Sequence, residues 1–275
     1  MKNRYGCNLI GVGAWGPGFN NSLELKNQLN NQSQNIDEEL VALPPKPEII
    51  PANERRRSPL AVRAAVEVSW QALQQSGLDS SEVACVFGSG LGDTEITDYM
   101  CRVLTTSEKQ LSPTKFHNSV HNAAAGYWTI SSGCMKSANS IAAYQDTVGI
   151  CLLEAMIQSV QHNEPVLITL FDMAVQETWR QIFPCEQSFA AALLICPESY
   201  AVKSSLAKLS FSAATKNITE ASALPGFFQS LYQQNPAAKI LPLLQALMNP
   251  QTSCLEFSTG ASSFISVELQ AGAVI

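Results

Sequence analysis

Short aliphatic runs alternate with stretches of helical periodicity along nearly the whole chain, and that alternation restricts it to a layered α/β protein in which helices cover a sheet. The pattern predicts strands over Gly6–Val12, Val83–Phe87, Ser140–Tyr144 (short and buried), Val166–Phe171 and Phe189–Cys196. Ser58 reads as the cap of a helix with Pro59 at its first position. Ala61, Ala64, Ala65, Val68 and Ala72 then recur at helical spacing until Gly77 stops the run. Further helices are predicted over Asp93–Thr105, Ala123–Ile130 and from about Asp146 to Val160, with Ser112–Asn122 as a loop. The polar, proline-rich stretch from Asn30 to Asn53 reads as an irregular surface loop. After residue 198 the pattern thins. Ala207–Ala213, a helix within Leu224–Met248, and the pair Cys254–Ser258 and Ser263–Leu269 predict a smaller second α/β layer, dividing the chain into residues 1–198 and 199–275.

Several function classes fall away on composition. No apolar run approaches the roughly 18 to 20 residues that cross a bilayer, and Met1–Ile10 lacks a leader pattern, so the expected setting is cytoplasmic, with no membrane partner. The formal net charge of −6 provides no basic footprint for nucleic acid. The eight cysteines form no CxxC and stand at no metal-ligand spacing from a histidine, so neither a metal nor another cofactor is expected. Gly11, Gly13 and Gly16 formally match GxGxxG, but Pro17-Gly18 would break the helix such a loop must open, and the segment reads as a turn. Arg55, Arg56 and Arg57, the one basic cluster, read as a solvated entry to the following helix.

Four stretches carry a resemblance. Ile10-Gly11-Val12-Gly13 through Gly16-Pro17-Gly18 is similar to the first strand and turn of the ketosynthase branch of the thiolase fold. Val86-Phe87-Gly88-Ser89-Gly90-Leu91-Gly92 resembles its second strand and glycine loop. Leu111-Ser112-Pro113 through Asn122-Ala123-Ala124-Ala125-Gly126 resembles its dimer-interface segment, and Ser140-Ile141-Ala142-Ala143-Tyr144-Gln145-Asp146-Thr147 falls where a ketosynthase carries its strand and nucleophile elbow. The resemblance implies a thiolase-like α/β/α/β/α fold with an abbreviated second half. It also puts Gln145 where an active ketosynthase has its cysteine, as chain-length factors do. A glutamine amide cannot form the acyl thioester that a thiolate forms.

The histidines point the same way, because His117, His121 and His162 are the only ones and active relatives bring theirs from the second half. Phe257-Ser258-Thr259-Gly260-Ala261-Ser262-Ser263 resembles a degraded form of the family's closing glycine-rich segment. The shortened second half and the segment His117–Trp128 look most like the truncated ketosynthase-like subunit of bacterial aryl-polyene pathways. The resemblance therefore implies a subunit without catalytic residues. Such a subunit pairs with an active ketosynthase, meets acyl carrier protein only through that partner, and shapes the partner's acyl tunnel. Its tunnel and interface residues would be Thr97, Met100, Cys101, Leu104, Phe116, His121, Asn122, Trp128, Ala142, Tyr144 and Gln145.

Other readings stand beside this one. Gln145 could be an ordinary core residue, and Thr97, Met100, Cys101 and Leu104 could be the packed face of an ordinary helix. A glutamine-bearing ketosynthase-like domain could instead decarboxylate a malonyl carrier protein, although the missing histidines remove the obvious enolate stabilisers. Cys134, near His117 and His121 in sequence, could serve as a displaced hydrolytic nucleophile.

Overall fold

A computed structural model describes residues 5–30, 40–214, 224–248 and 252–271. Its strands are β1 (Tyr5–Trp15), β2 (Ala84–Gly88), β3 (Ala138–Ile141), β4 (Val166–Asp172), β5 (Phe189–Pro197), β6 (Ala207–Ala214), β7 (Ser253–Gly260) and β8 (Ser263–Ala271). The helices are α1 (Ser22–Asn30), α2 (Ala52–Arg57), α3 (Leu60–Ser76), α4 (Thr94–Leu104), α5 (Pro113–His117), α6 (Ala123–Ser132), α7 (Thr147–His162), α8 (Gly226–Gln234) and α9 (Leu241–Leu247). All eight strands join one sheet in the order β3-β2-β4-β5-β1-β6-β8-β7. β3, β2 and β4 run parallel, as their helical crossovers require, and the remaining neighbours are antiparallel.

The continuous apolar runs of β4 and β5 are the signature of strands buried on both faces, and every residue of both is buried. β1 shows how one strand serves two cores. Its register against β5 shifts between Leu9 and Gly11, so Cys7 and Leu9 share a face with Val12 and Ala14. A bulge inserts one residue and thereby reverses the alternation. On the other face, a Cβ on Gly11 or Gly13 would overlap the Ala72 or Val68 carbonyl of α3, so both glycines let the helix settle directly on the strand. This corrects the reading of Gly11–Gly18 as a turn: the strand continues to Trp15. The turn itself is Gly16–Phe19, closed by reciprocal backbone bonds of 3.0 and 3.2 Å.

Other boundaries move for local reasons. The N-cap of α3 is Pro59, while Ser58 closes α2 and its hydroxyl donates to the Arg55 carbonyl (2.9 Å). Arg55, Arg56 and Arg57 thus form the last turn of a helix of their own. Gly77 stops α3 as expected, at φ 69°. The expected loop at Ser112–Asn122 contains α5, with Ser112 as its N-cap and Pro113 in its first turn. The strand expected at Ser140–Tyr144 ends at Ile141 and is a partly exposed edge, not a buried strand, because it pairs with β2 alone.

The expected smaller second layer is the curled end of the same sheet. On α7, Cys151 faces Gly88 of β2, whereas Gly149 lies against the Ser258 backbone of β7. Positions two apart on a helix point about 200° from each other, so the sheet wraps α7 on both sides. Residues on either side of position 198 share this core, with Leu9, Leu193 and Ile195 beside Leu209, Phe211 and Val267.

Candidate functional site

The elbow lies between β3 and α7. Thr147 draws it tight: its hydroxyl donates to the Tyr144 carbonyl (2.8 Å) and accepts from the Ala143 amide (3.0 Å). Tyr144 at the bend has φ 49°, a left-handed conformation that costs a non-glycine residue about 1 kcal/mol and is retained where surrounding structure enforces it. Gln145 follows, half-buried at the amino end of α7, where unpaired backbone amides leave a partial positive charge. Its Oε1 is sealed from solvent and has no hydrogen-bond partner among the described residues; neither has the hydroxyl of nearby Ser140. Ala142 is exposed beside it.

The glycine loop after β2 closes over this bend. A Cβ on Gly90 would stand 2.7 Å from both the Tyr144 carbonyl and Pro236, so only glycine permits the approach. Asp172, at the end of β4, holds the loop from below. Its carboxylate accepts from the Ser89 hydroxyl (2.8 Å), the Leu91 amide (2.8 Å) and the Gly90 amide (3.1 Å). Complete burial pushes this carboxyl up to about 6 against those hydrogen bonds, which favour its charged form. On the opposite side His121 Nε2 lies 3.1 Å from the Ser89 carbonyl, to which a protonated Nε2 donates.

The loop runs straight into α4, whose N-cap Asp93 accepts from the Ile96 amide (2.9 Å). Of this helix only Ile96 is buried. Thr97, Cys101 and Leu104 are exposed and Met100 is half-buried, so among the described residues no element covers the stripe that the resemblance assigns to the tunnel, and the alternative of an ordinary packed helix face does not fit it. The segment after β4 fastens α4 and the elbow together: Trp179 Nε1 donates to Asp98 (3.1 Å), and the Phe183 ring meets Tyr144 edge-on at 5.9 Å.

The expected interface residues separate into two sets. Phe116 and His121 are exposed before α6, and Val120, Ile130 and Met135 add large apolar side chains on α6 and its flanks, the last two 85% and 90% exposed. Asn122 is the N-cap of α6 without a side-chain bond. With His117, Val120, Tyr127 and Ile130 it lines a cavity of about 530 Å³ against Ile49, Pro51 and Glu54. Trp128 does not belong to this surface. It is wholly buried in the core beneath α3, which corrects its expected place at the interface.

The neighbouring Cys85 thiol holds Cys134 down at about 6, but the hydrolase reading finds no histidine hydrogen-bonded to it among the described residues. The Cys134 thiol donates to the Val83 carbonyl (3.2 Å) and lies 4.0 Å from Cys85, at the start of β2. His121 sits beyond the other end, at Ser89, and the five residues of β2 between Val83 and Ser89 separate the two sites by about 20 Å. A further set of groups carried no sequence signal. Asp172, Phe183, Trp179 and Asn235 lie in apolar runs or loops with no motif, and only the tertiary fold gathers them.

No helix among the described residues is long and apolar enough to cross a membrane. The chain matches the family model for the beta-ketoacyl synthase N-terminal domain over residues 27–260. No curated protein matches it in sequence. Among solved structures it is similar to a ketosynthase (ApeO) in complex with its chain length factor (ApeC) from Xenorhabdus doucetiae. That match has TM-score 0.69 and 22% identity, over 95% of this chain and 98% of the other. The ishigamide ketosynthase/chain length factor aligns with TM-score 0.70 and 11% identity, over 96% and 99% of the two chains. A type II acyl-carrier protein in complex with its ketosynthase bound to the hexaketide (AntDE:AntF) gives TM-score 0.74 and 12% identity, over 98% and 100%. With a single sheet curled about α7, a glycine loop on the elbow, and a family match across most of its length, this chain has the thiolase-like fold and belongs to the beta-ketoacyl synthase family.

Proposed function

We propose that the chain is a non-catalytic, chain-length-factor-like subunit that pairs with an active ketosynthase and shapes its acyl tunnel, in an aryl-polyene or related polyketide pathway. The observation that carries the reading is Gln145. It stands at the elbow between β3 and α7, the place where the family resemblance puts the nucleophilic cysteine. Its amide cannot take an acyl group, and no histidine occurs after residue 162 to supply the missing proton transfers.

The surroundings suit a partner. Among the described residues β3 pairs with β2 alone and leaves an open sheet edge, which invites strand addition. The bare face of α4 and the exposed Phe116, Val120, Ile130 and Met135 are apolar surface of the sort that association buries. Two of the structural relatives are described as ketosynthases together with chain length factors, which supports the same pairing here.

The test is mass spectrometry of the isolated chain after incubation with acyl- and malonyl-acyl carrier protein. It should carry no acyl adduct and release no carbon dioxide. A stoichiometric adduct would overturn the reading, and catalytic decarboxylation would replace it with the starter-forming alternative.

A further inference from the structure

The Asp172 carboxylate ties a loop to a helix it never touches. Residues 89, 90 and 91 donate to it directly, and Ser89 Oγ in turn accepts from the Gly92 amide (2.9 Å), so four consecutive residues are wired to one buried side chain. The next residue, Asp93, is the N-cap of α4. Asp172 is itself fixed from the second half of the chain, where Asn235 Nδ2 donates to the Asp172 carbonyl (3.0 Å) and the Gln187 carbonyl (2.9 Å).

We infer that Asp172 is a positioning residue for α4: by fixing the Ser89–Gly92 loop it sets where that helix starts relative to the elbow, and through α4 it sets the length of product the heterodimer releases. The last step rests on the proposed partner role; the clamp does not. A carboxylate suits the task because it accepts only, and the groups facing it, the Ser89 hydroxyl and the Gly90, Leu91 and Ala237 amides, are all donors. A buried charge without a cation is expensive, and no ion pair to Asp172 occurs among the described residues. Two thiols feel its charge. Cys151 on α7 and Cys185 before β5 are both pushed up to about 12, chiefly by burial, and stay neutral. Such a cost is tolerated where the geometry it enforces is used.

Asp172→Asn keeps the volume and turns one acceptor into a donor aimed at an N–H or O–H. Amide hydrogen exchange on the isolated chain should show Gly90 and Leu91 exchanging roughly tenfold faster in Asp172→Asn, with β4 and β5 unchanged. Ser89→Ala, which removes the bond to Asp172 and the one from the Gly92 amide but adds no donor, should give a smaller acceleration at Gly90 and Leu91 and serves if Asp172→Asn does not fold. In the reconstituted pair, the variant should form the heterodimer normally and shift the product-length distribution. Wild-type exchange at Gly90 and Leu91 in the variants overturns the clamp. Faster exchange with an unchanged product distribution overturns its link to length. If the wild-type chain pairs with no ketosynthase, the partner role fails instead, and the exchange measurement still decides the clamp.

Discussion

β5 and β3 belong to the same sheet and meet opposite fates. Each of the nine residues of β5 is buried, with β4 on one side, β1 on the other and helices over both faces. Among the described residues the four of β3 have one neighbouring strand and none is buried, and the hydroxyl of its own Ser140 and the nearby Gln145 amide oxygen are sealed from water yet unpaired. The contrast separates what this chain completes alone from what it leaves open. Along β5 the backbone pairing and side-chain burial that folding requires are met within the molecule. Around the elbow they are not, and an unmet hydrogen bond together with an open strand edge is the physical form of an unfinished interface.

The sharpest way to break the contrast is to disturb the interior. Gly13→Val drives a branched side chain into the Val68 carbonyl, and α3 cannot retreat without uncovering its buried face. Overpacking against backbone should cost about 4 kcal/mol, read as a collapse of the thermal unfolding midpoint whether or not a partner is present. A loss below about 1 kcal/mol would mean that α3 does not rest on β1 as closely as the structure has it.

The second perturbation is pH, which acts through the buried clamp. Burial raises the Asp172 carboxyl from its ordinary value to about 6, so the folded state binds its proton more tightly than the unfolded one. The stability this confers is fully present below the ordinary carboxylate range and is lost as pH rises through about 6. It amounts to roughly 3 kcal/mol by linkage. Chemical denaturation at pH 4 and pH 7 should therefore show Asp172→Asn losing less stability over that interval than wild type. Equal losses would place the titration elsewhere.

At the edge the prediction inverts. Ala142 is exposed beside the elbow, so Ala142→Arg should leave the unfolding midpoint of the isolated chain within about 0.5 kcal/mol of wild type. If the partner contacts the chain at this edge, the same arginine puts a long charged side chain into the contact. Heterodimer affinity should fall by about a hundredfold, read by gel filtration at dilute concentration. Undiminished affinity would move the interface away from the elbow.

How far the sequence was legible follows the same division. Helix α3 and strands β2, β4 and β5 were readable because a buried element must carry its period in its own residues. Gly77 and Asp93 marked helix ends because the capping chemistry is local. β3 was misplaced because Ala142 and Ala143 extend an apolar run past the point where pairing with β2 stops, and composition carries no record of where a ladder ends. The strand through Gly11 and Gly13 read as a turn for a related reason. Glycine marks both a bend and a close helix contact, and only the partner helix distinguishes them. At the site, Gln145 stood out because the family resemblance sets it against a cysteine, and such a comparison needs only the sequence. Asp172 did not, since its role depends on three donors more than 80 positions away.

Thr97 gives the finest test, because it should alter function while leaving both stability and assembly alone. Its side chain is exposed on α4, and its hydroxyl is spent on the Asp93 carbonyl one turn back (3.0 Å), so nothing in this chain depends on its size. Met100, Cys101 and Leu104 continue the same stripe at helical spacing, a largely exposed ridge that no other element among the described residues covers. If that ridge lines the acyl tunnel across the interface, Thr97→Trp adds an indole to the wall and removes room for several methylenes, whereas the backbone, the N-cap and the Asp172 clamp remain as they were. The reconstituted pair should then form with wild-type affinity and release products shorter by about one extension cycle, measured by chromatography and mass spectrometry of the released chains. An unchanged product distribution would take α4 out of the tunnel while leaving the open edge at β3 to account for pairing. A split complex would place Thr97 in the contact itself, and the ridge would then be binding surface instead of tunnel wall.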